Sequence, residues 1–348
     1  MKKGKIIHMF PGSNTPQGFV GFMNEDLEGL ERIFILKGGP GCGKSTLMNK
    51  IAINMAERGF DVEVWLCSSA PESLDGVFIP DLAVAVVDGT APHVVEPQYP
   101  GIIEEIVNLG EHWNQSQLRE HKQEIRQLTA DIQTSFARAY KTLTEYQQQE
   151  EARAVPPLTE VEQKQLCRGL AEEIFGQQNL RVRKFFAEAM TRNGRQSYAQ
   201  ELSAACRRRY LLQGSRENVG LVLAGLAQSA AEHGHNLDLY YSCLAPDKLE
   251  MLIIPGLSVA LVDSDCPDLE PRYADILLRL DDADAVYDED AQVAADTLLT
   301  TAAVELEHEH CLHDNLESFY ISAMDFEALD AATKDVLGKI WQMAAERG

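Results

Sequence analysis

The 348-residue sequence predicts an α/β fold that occurs twice in tandem, and three observations carry that prediction. Short apolar strands alternate with amphipathic helices at the pitch of a doubly wound domain. The most apolar of these strands, LAVAVVD at 82–88, lacks polar alternation, as expected where a parallel sheet is covered on both faces. The order then repeats at a constant offset of 175 residues. AERG at 56–59 meets AEHG at 231–234, APESL at 70–74 meets APDKL at 245–249, and IPDLAVAVVD at 79–88 meets IPGLSVALVD at 254–263. Upstream, one residue out of step, Phe10, Thr15 and Gly18 face Phe186, Thr191 and Gly194. Unrelated α/β domains can share apolar strands, but not this run of matched prolines, acids and glycines. The expectation is two three-layer α/β/α domains with parallel sheets, over 1–160 and 161–348, each with a helical appendage.

Taken in order, RIFILKG at 32–38 is a strand ending in glycine. TLMNKIAINMAERG follows with helical spacing, apolar at Leu47, Met48, Ile51 and Met55, and Gly59 is its stop. DVEVWLC at 61–67 is a second strand, SLDGVFIPD at 73–81 a turn-rich connection, and LAVAVVD a third strand. From about 113 to 153 the chain is polar, with one apolar stripe of Leu118, Ile125, Leu128, Ile132, Phe136, Leu143 and Tyr146. Such a stripe predicts a long helical arm packed on its own domain or on a helical partner; a mobile lid is the alternative. AVPPLTE at 154–160 breaks the helix and marks the junction between the copies. The second copy ends in helical sequence from about Asp290, interrupted near SFYISAMDF at 318–326.

Composition narrows the function classes. Asp and Glu outnumber Lys and Arg by 54 to 31, a net charge of −23 that repels polyanions and argues against bulk nucleic-acid binding. Screening over about 8 Å at physiological salt still lets one local pocket attract phosphate. The N-terminus lacks the apolar core of a signal peptide, and no run approaches the ~20 apolar residues of a membrane span. Seven scattered cysteines without a CxxC pair suggest reduced thiols in a cytoplasmic protein.

The chemistry is concentrated at Gly38-Gly39-Pro40-Gly41-Cys42-Gly43-Lys44-Ser45-Thr46, which fits G-x-x-x-x-G-K-[ST], the Walker A phosphate loop, with a strand before it and a helix after it. Glycines let the backbone turn its N–H groups inward, and the helix aims its positive end at the same point. Residues 39–46 are thus the expected nucleotide cradle: Lys44 reaches the β- and γ-phosphates, and Ser45 holds Mg²⁺. Asp88, ending the apolar strand 84–88, is the expected Walker B acid and second Mg²⁺ ligand. No glutamate follows it, so the activating base must come from elsewhere; Asp75 is the leading candidate, with His93 and Glu96 behind it. The absence of an NKxD-type motif favours adenine over guanine.

The equivalent stretch of the second copy, LLQGSRENVG at 211–220, has lost this equipment. Val219 replaces the lysine, Gly220 replaces the serine, and Glu217 brings a carboxylate to where phosphates would approach. Arg216 cannot rebuild the cradle, although Asp263 survives opposite Asp88. Nine basic residues crowd 181–216 (Arg181, Arg183, Lys184, Arg192, Arg195, Arg207, Arg208, Arg209 and Arg216). Salt bridges to acidic neighbours are the plain expectation for them; docking of a protein partner or an anionic ligand is the sharper one. HEHCLHDNLE at 308–317 offers His308, His310, Cys311, His313 and Glu317 but is weak as a metal site without a second ligand cluster. Cys67 reads as packing rather than as a nucleophile.

These motifs identify the chain as resembling the P-loop NTPases. It resembles more closely an uncharacterised bacterial family of tandem, duplicated P-loop ATPase-like proteins, through FPGSNTPQGF at 10–19, ILKGGPGCGKSTL at 35–47, CSSAPESLDGVFIP at 67–80, VDGTAPHVVEPQYPG at 87–101 and YISAMDFEALD at 320–330. The resemblance implies two P-loop domains with ATP and Mg²⁺ as ligands. Family members often carry a second good Walker A, so the eroded copy departs from the pattern and speaks against two nucleotides per chain. The expected function is a Mg-dependent ATPase with one working site and a non-catalytic second domain for regulation or docking. A kinase passing the γ-phosphoryl to a small molecule or nucleotide, and a nucleotide-sensing interaction module, are the alternatives.

Overall fold

A computed structural model describes residues 3–92, 94–153, 158–174, 181–281 and 289–347. His93 and most of the junction, 154–157, lie outside them. The first copy of the repeat comprises β1 (Ile6–Met9), β2 (Gly12–Thr15), β3 (Gly18–Gly21), α1 (Met23–Asp26), β4 (Arg32–Lys37), α2 (Lys44–Glu57), β5 (Val62–Leu66), β6 (Leu74–Ile79), β7 (Val84–Asp88), β8 (Glu104–Asn108), α3 (Gln115–Glu120) and α4 (Lys122–Arg153). The second comprises α5 (Glu160–Ile174), β9 (Val182–Phe186), β10 (Glu188–Thr191), β11 (Gly194–Ser197), α6 (Ala199–Ala204), β12 (Arg208–Gln213), α7 (Arg216–Glu232), β13 (Leu237–Ser242), β14 (Ala245–Ile254), β15 (Val259–Asp263), β16 (Ile276–Arg279), α8 (Glu289–Ala323) and α9 (Phe326–Arg347).

Compact units and sequence copies divide the chain differently. One unit gathers Met1–Pro11, Met23–Arg138 and Glu305–Gly348; the other gathers Gly12–Phe22 and Ala139–Val304. The first therefore includes α9 and the part of α8 from Glu305 onward, and the second includes the N-terminal hairpin.

The first unit holds a six-stranded mixed sheet in the order β1-β5-β6-β7-β4-β8. Its strands run parallel except β6, which pairs antiparallel with both β5 and β7. The expected all-parallel sheet is corrected here, as is the turn-rich connection at 73–81. Asp75 and Gly76 disguise that segment as a turn. Leu74, Val77, Phe78 and Ile79 are nevertheless buried, and Gly76 is small because a Cβ there would lie 2.6 Å from the Trp65 ring. Helix α2 forms as its spacing predicts, burying Leu47, Met48, Ile51 and Met55 and stopping before Gly59 at φ +95°. Asp325 ends the run of α8 by capping α9, its Oδ1 accepting the Glu327 and Ala328 N–H groups at 3.0 and 3.1 Å. Helix α9 is then strapped to this unit by Lys50–Asp330 (2.6 Å), Lys339–Glu105 (2.6 Å) and Trp341 Nε1 donating to Asn54 Oδ1 (3.1 Å).

The second unit repeats the sheet strand for strand, β16-β12-β15-β14-β13-β9, with β14 as the antiparallel member. It also holds a four-stranded antiparallel sheet, β11-β10-β2-β3, in which the two copies of the hairpin meet at Met190 and Asn14. The duplication reaches into turn chemistry. Thr15 Oγ1 donates to the Gly18 carbonyl at 2.7 Å, and Thr191 Oγ1 to that of Gly194 at 2.8 Å. Ala83 and Ser258, matched residues before β7 and β15, both adopt left-handed backbone at φ 52° and 56°. Along α4 the predicted stripe faces inward, half-buried at Ile125, Leu128, Ile132 and Phe136 and buried at Leu143 and Tyr146. All seven cysteines are free thiols, and among the described residues no helix is long and apolar enough to cross a membrane.

Candidate functional site

Strand β4 delivers the glycine loop to the sheet's carboxyl edge, where it runs into the first turn of α2. Gly41 (φ +67°) and Gly43 (φ +86°) turn the backbone through a region that side chains resist. Lys44 folds back over the loop, its Nζ donating to the Gly38 and Gly39 carbonyls at 2.8 and 2.9 Å. It also lies 3.5 Å from Asp88 Oδ2. Asp88 is the register partner of Leu36 on β4, which is what places its carboxylate beside the loop. Its Oδ1 accepts from the Thr90 N–H at 2.8 Å and hydroxyl at 2.5 Å. Burial pushes the Asp88 carboxyl up, with Lys44 pulling against it. Ser45 Oγ accepts the Leu74 N–H at 3.1 Å, tying the loop to β6. Pro40 is half-buried, Cys42 is buried with its thiol pushed up by desolvation, and Thr46 is exposed.

The base candidates separate. Asp75 sits in β6, 5 % exposed, close enough for its charge to raise Asp88. Glu96 pairs with Lys37 Nζ at 2.9 Å, and Lys37 also binds the Gly89 and Val95 carbonyls at 2.8 Å each. That cluster pins the loop after β7, so Glu96 serves the scaffold.

The sequence reading missed what covers the loop. Glu317 of α8 accepts the Gly41 N–H at 3.0 Å through its Oε1. A Cβ at Gly39 would lie 3.2 Å from Trp113 and 3.5 Å from Tyr320, and one at Gly43 only 2.4 Å from Leu329. Nearby on α8, His310 faces Glu72 (3.7 Å) and Asp314 (3.6 Å), and His313 faces Glu317 (3.7 Å). Burial lowers the His313 pKa. Glu309, 3 % exposed, is pushed up to about 7 by desolvation and by Asp314. The HEHCLHDNLE segment thus belongs to the surroundings of the loop. Among the described residues no group of three or more His, Cys, Asp or Glu is arranged to hold a metal. Only the His313/Glu317 spacing hinted at a shared face; a separation of 276 residues hid the contact itself.

A cavity of about 500 Å³ lies by β8, lined by Asn108, Gly110, Glu111, Trp113, Leu118 and Arg119 among others. Asn108 is the register partner of Lys37, so this cavity adjoins the start of the glycine loop. The Trp113 indole N–H is buried without an acceptor.

The second unit's counterpart is filled by its own side chains. Asp281 Oδ2 accepts the Ser215 N–H at 2.7 Å and the Asn218 amide at 2.9 Å. Val219, in the lysine position, is fully buried, and Glu217 pairs with Lys248. Arg216 turns away to Glu150 at 3.9 Å. Within the basic stretch Arg183 pairs with Asp238 (3.9 Å), Arg195 with Glu188 (2.6 Å) and the buried Arg209 with Asp275 (2.6 Å), while Arg181, Arg207 and Arg208 are exposed. Desolvation raises the Cys67 thiol well above its ordinary value, which keeps it protonated and inert. No family model, curated protein or solved structure matches this chain.

Proposed function

We propose that the chain binds ATP on residues 39–46 and hydrolyses it in a Mg-dependent reaction at this single site, the second unit acting in regulation or docking. The observation that carries the reading is the Lys44 ammonium, held over a loop of left-handed glycines at the start of α2 and 3.5 Å from Asp88. A cation, inward-turning amides and a helix N-terminus converging on one point suit a polyphosphate. Ser45 and Asp88 fit Mg²⁺: a first-turn hydroxyl and a strand-end carboxylate stand on adjoining elements, and Mg²⁺ takes few protein ligands beside phosphate oxygens. When bound there it would neutralise charge on the β- and γ-phosphates. Asp75 is the acid best placed to orient a water, being buried next to Asp88. The cavity by β8 has room for a nucleoside-sized ligand, with Trp113 in its lining to stack on a base. Two units of P-loop NTPase type with one eroded loop account for the repeated sheet and for the carboxylate that Asp281 lends to α7.

The test is a thermal-shift and turnover measurement with Mg-ATP on wild type and Lys44→Ala. Ligand at one hundred times Kd stabilises by about 2.7 kcal/mol, roughly 5–10 °C for a unit of this size. That shift, and phosphate release, should vanish in Lys44→Ala; an equal shift in both proteins would refute the reading.

A further inference from the structure

The amide that a phosphate would need is already engaged by an acid of the same unit. Glu317 Oε1 takes the Gly41 N–H at 3.0 Å, and a carboxylate offers the same charge and acceptor geometry as a phosphate edge. The surrounding contacts are equally close: a Cβ at Gly41 would meet Ile321 at 2.8 Å and the Glu317 carbonyl oxygen at 3.0 Å. Lys44 meanwhile spends its bonds on the Gly38 and Gly39 carbonyls. A triphosphate and the end of α8 therefore exclude one another.

We infer that Glu317 is an internal competitor for the phosphate position, so that the end of α8 is a latch that nucleotide must displace; this rests on the ATP reading above. The second unit also meets its loop with a carboxylate, but at a different amide. Asp281, two residues beyond β16, accepts the N–H of Ser215, the position of Pro40 and one before the Gly41 counterpart Arg216. Glu317 differs in being carried on a separate helix and in being one-third exposed. Helix α8 ends six residues later at the Met324–Asp325 break, a place where the backbone can bend while α9 stays strapped by Lys50–Asp330 and Trp341–Asn54.

The experiment titrates the full-length protein with Mg-ATP and, separately, with Mg-pyrophosphate, comparing wild type, Glu317→Ala, Glu317→Gln and Lys44→Ala. Removing a partly exposed charge-assisted acceptor should tighten Mg-ATP binding about tenfold in Glu317→Ala. Glu317→Gln, whose amide oxygen still accepts, should gain less. In wild type, Mg-ATP should speed amide exchange across 313–325. Lys44-dependent binding with unchanged or weaker affinity in Glu317→Ala, or slower exchange across 313–325, overturns the latch alone. If no protein binds either probe in a Lys44-dependent way, the ATP reading falls and the latch with it.

Discussion

Asp263 should set how the second unit's stability varies with pH. It ends β15 as Asp88 ends β7, it is 7 % exposed, and its Oδ1 accepts the Asp265 N–H at 3.0 Å. Burial first, then the charges of Asp265 and Glu188, push its carboxyl up to about 7 from an ordinary 3.8. The folded-state value lies above the unfolded one, so the native protein holds the extra proton. Stability is then fully present below about pH 4, declines as pH climbs, and levels off above about pH 7. At about 1.4 kcal/mol per pH unit, that interval amounts to roughly 4 kcal/mol lost. Asp263→Asn keeps an oxygen for the Asp265 N–H and removes the charge. It should therefore be up to about 4 kcal/mol more stable than wild type at pH 8 and equal to it within about 1 kcal/mol at pH 4. Glu250, raised by burial and by Glu188, adds a slope of the same sign in both proteins. Urea unfolding followed by far-UV circular dichroism reads the difference. A gain of equal size at both pH values, or a loss at pH 8, would show that Asp263 is not held as an uncompensated buried acid.

Further outcomes follow from the same geometry. Gly43→Ala places a Cβ at φ +86° and 2.4 Å from Leu329, so it should cost about 1–3 kcal/mol in melting experiments and abolish the Mg-ATP shift. Arg209→Met leaves the Asp275 carboxylate with Arg272, at 3.2 Å, as its remaining guanidinium, and should destabilise by about 3 kcal/mol, the low end for a broken buried pair, much of it recovered in the double variant with Asp275→Asn. Val219→Lys with Gly220→Ser restores the motif's letters to the second copy. It should add no nucleotide binding by calorimetry in a Lys44→Ala background, because Asp281 keeps the Ser215 N–H.

Strands β4, β5 and β7, helix α2 and the duplication were legible because periodicity and repeated punctuation are local signals. The left-handed Ala83 and Ser258, and the Thr15 and Thr191 turns, show that the sequence match reported backbone geometry and not only composition. Strand β6 was not legible, since one glycine and one aspartate within six residues imitate a turn while Trp65 requires the glycine and burial hides the acid. That Lys44 and Asp88 come together could be expected from spacing, because strand register makes neighbours of 36 and 88. Glu317, Tyr320 and Leu329 could not. Helical periodicity says which face of α8 or α9 is buried but not what it is buried against, and nothing local couples residue 317 to residue 41.

The two glycine loops also show how such a turn is satisfied with a lysine, as at Lys44, and without one, as at Val219. Backbone N–H groups at the start of a helix need acceptors whether or not a ligand supplies them. In the second unit Ser215 Oγ caps the Asn218 N–H at 3.3 Å and Asp281 takes Ser215's own N–H, while Leu280 N–H is itself pinned to the Gln213 carbonyl at 2.9 Å. Acceptor and donor there each lie two residues beyond the ends of adjacent strands, β16 and β12, so the arrangement is satisfied as soon as the sheet forms. In the first unit the corresponding strand end, β8, leads into a cavity lined by Glu111 and Trp113, and the acceptor arrives from a distant helix. An acceptor that comes from outside the sheet can be exchanged for another anion without disturbing the sheet. That difference separates a loop whose Gly41 N–H is met by a distant helix from one whose amides are met at the end of its own sheet.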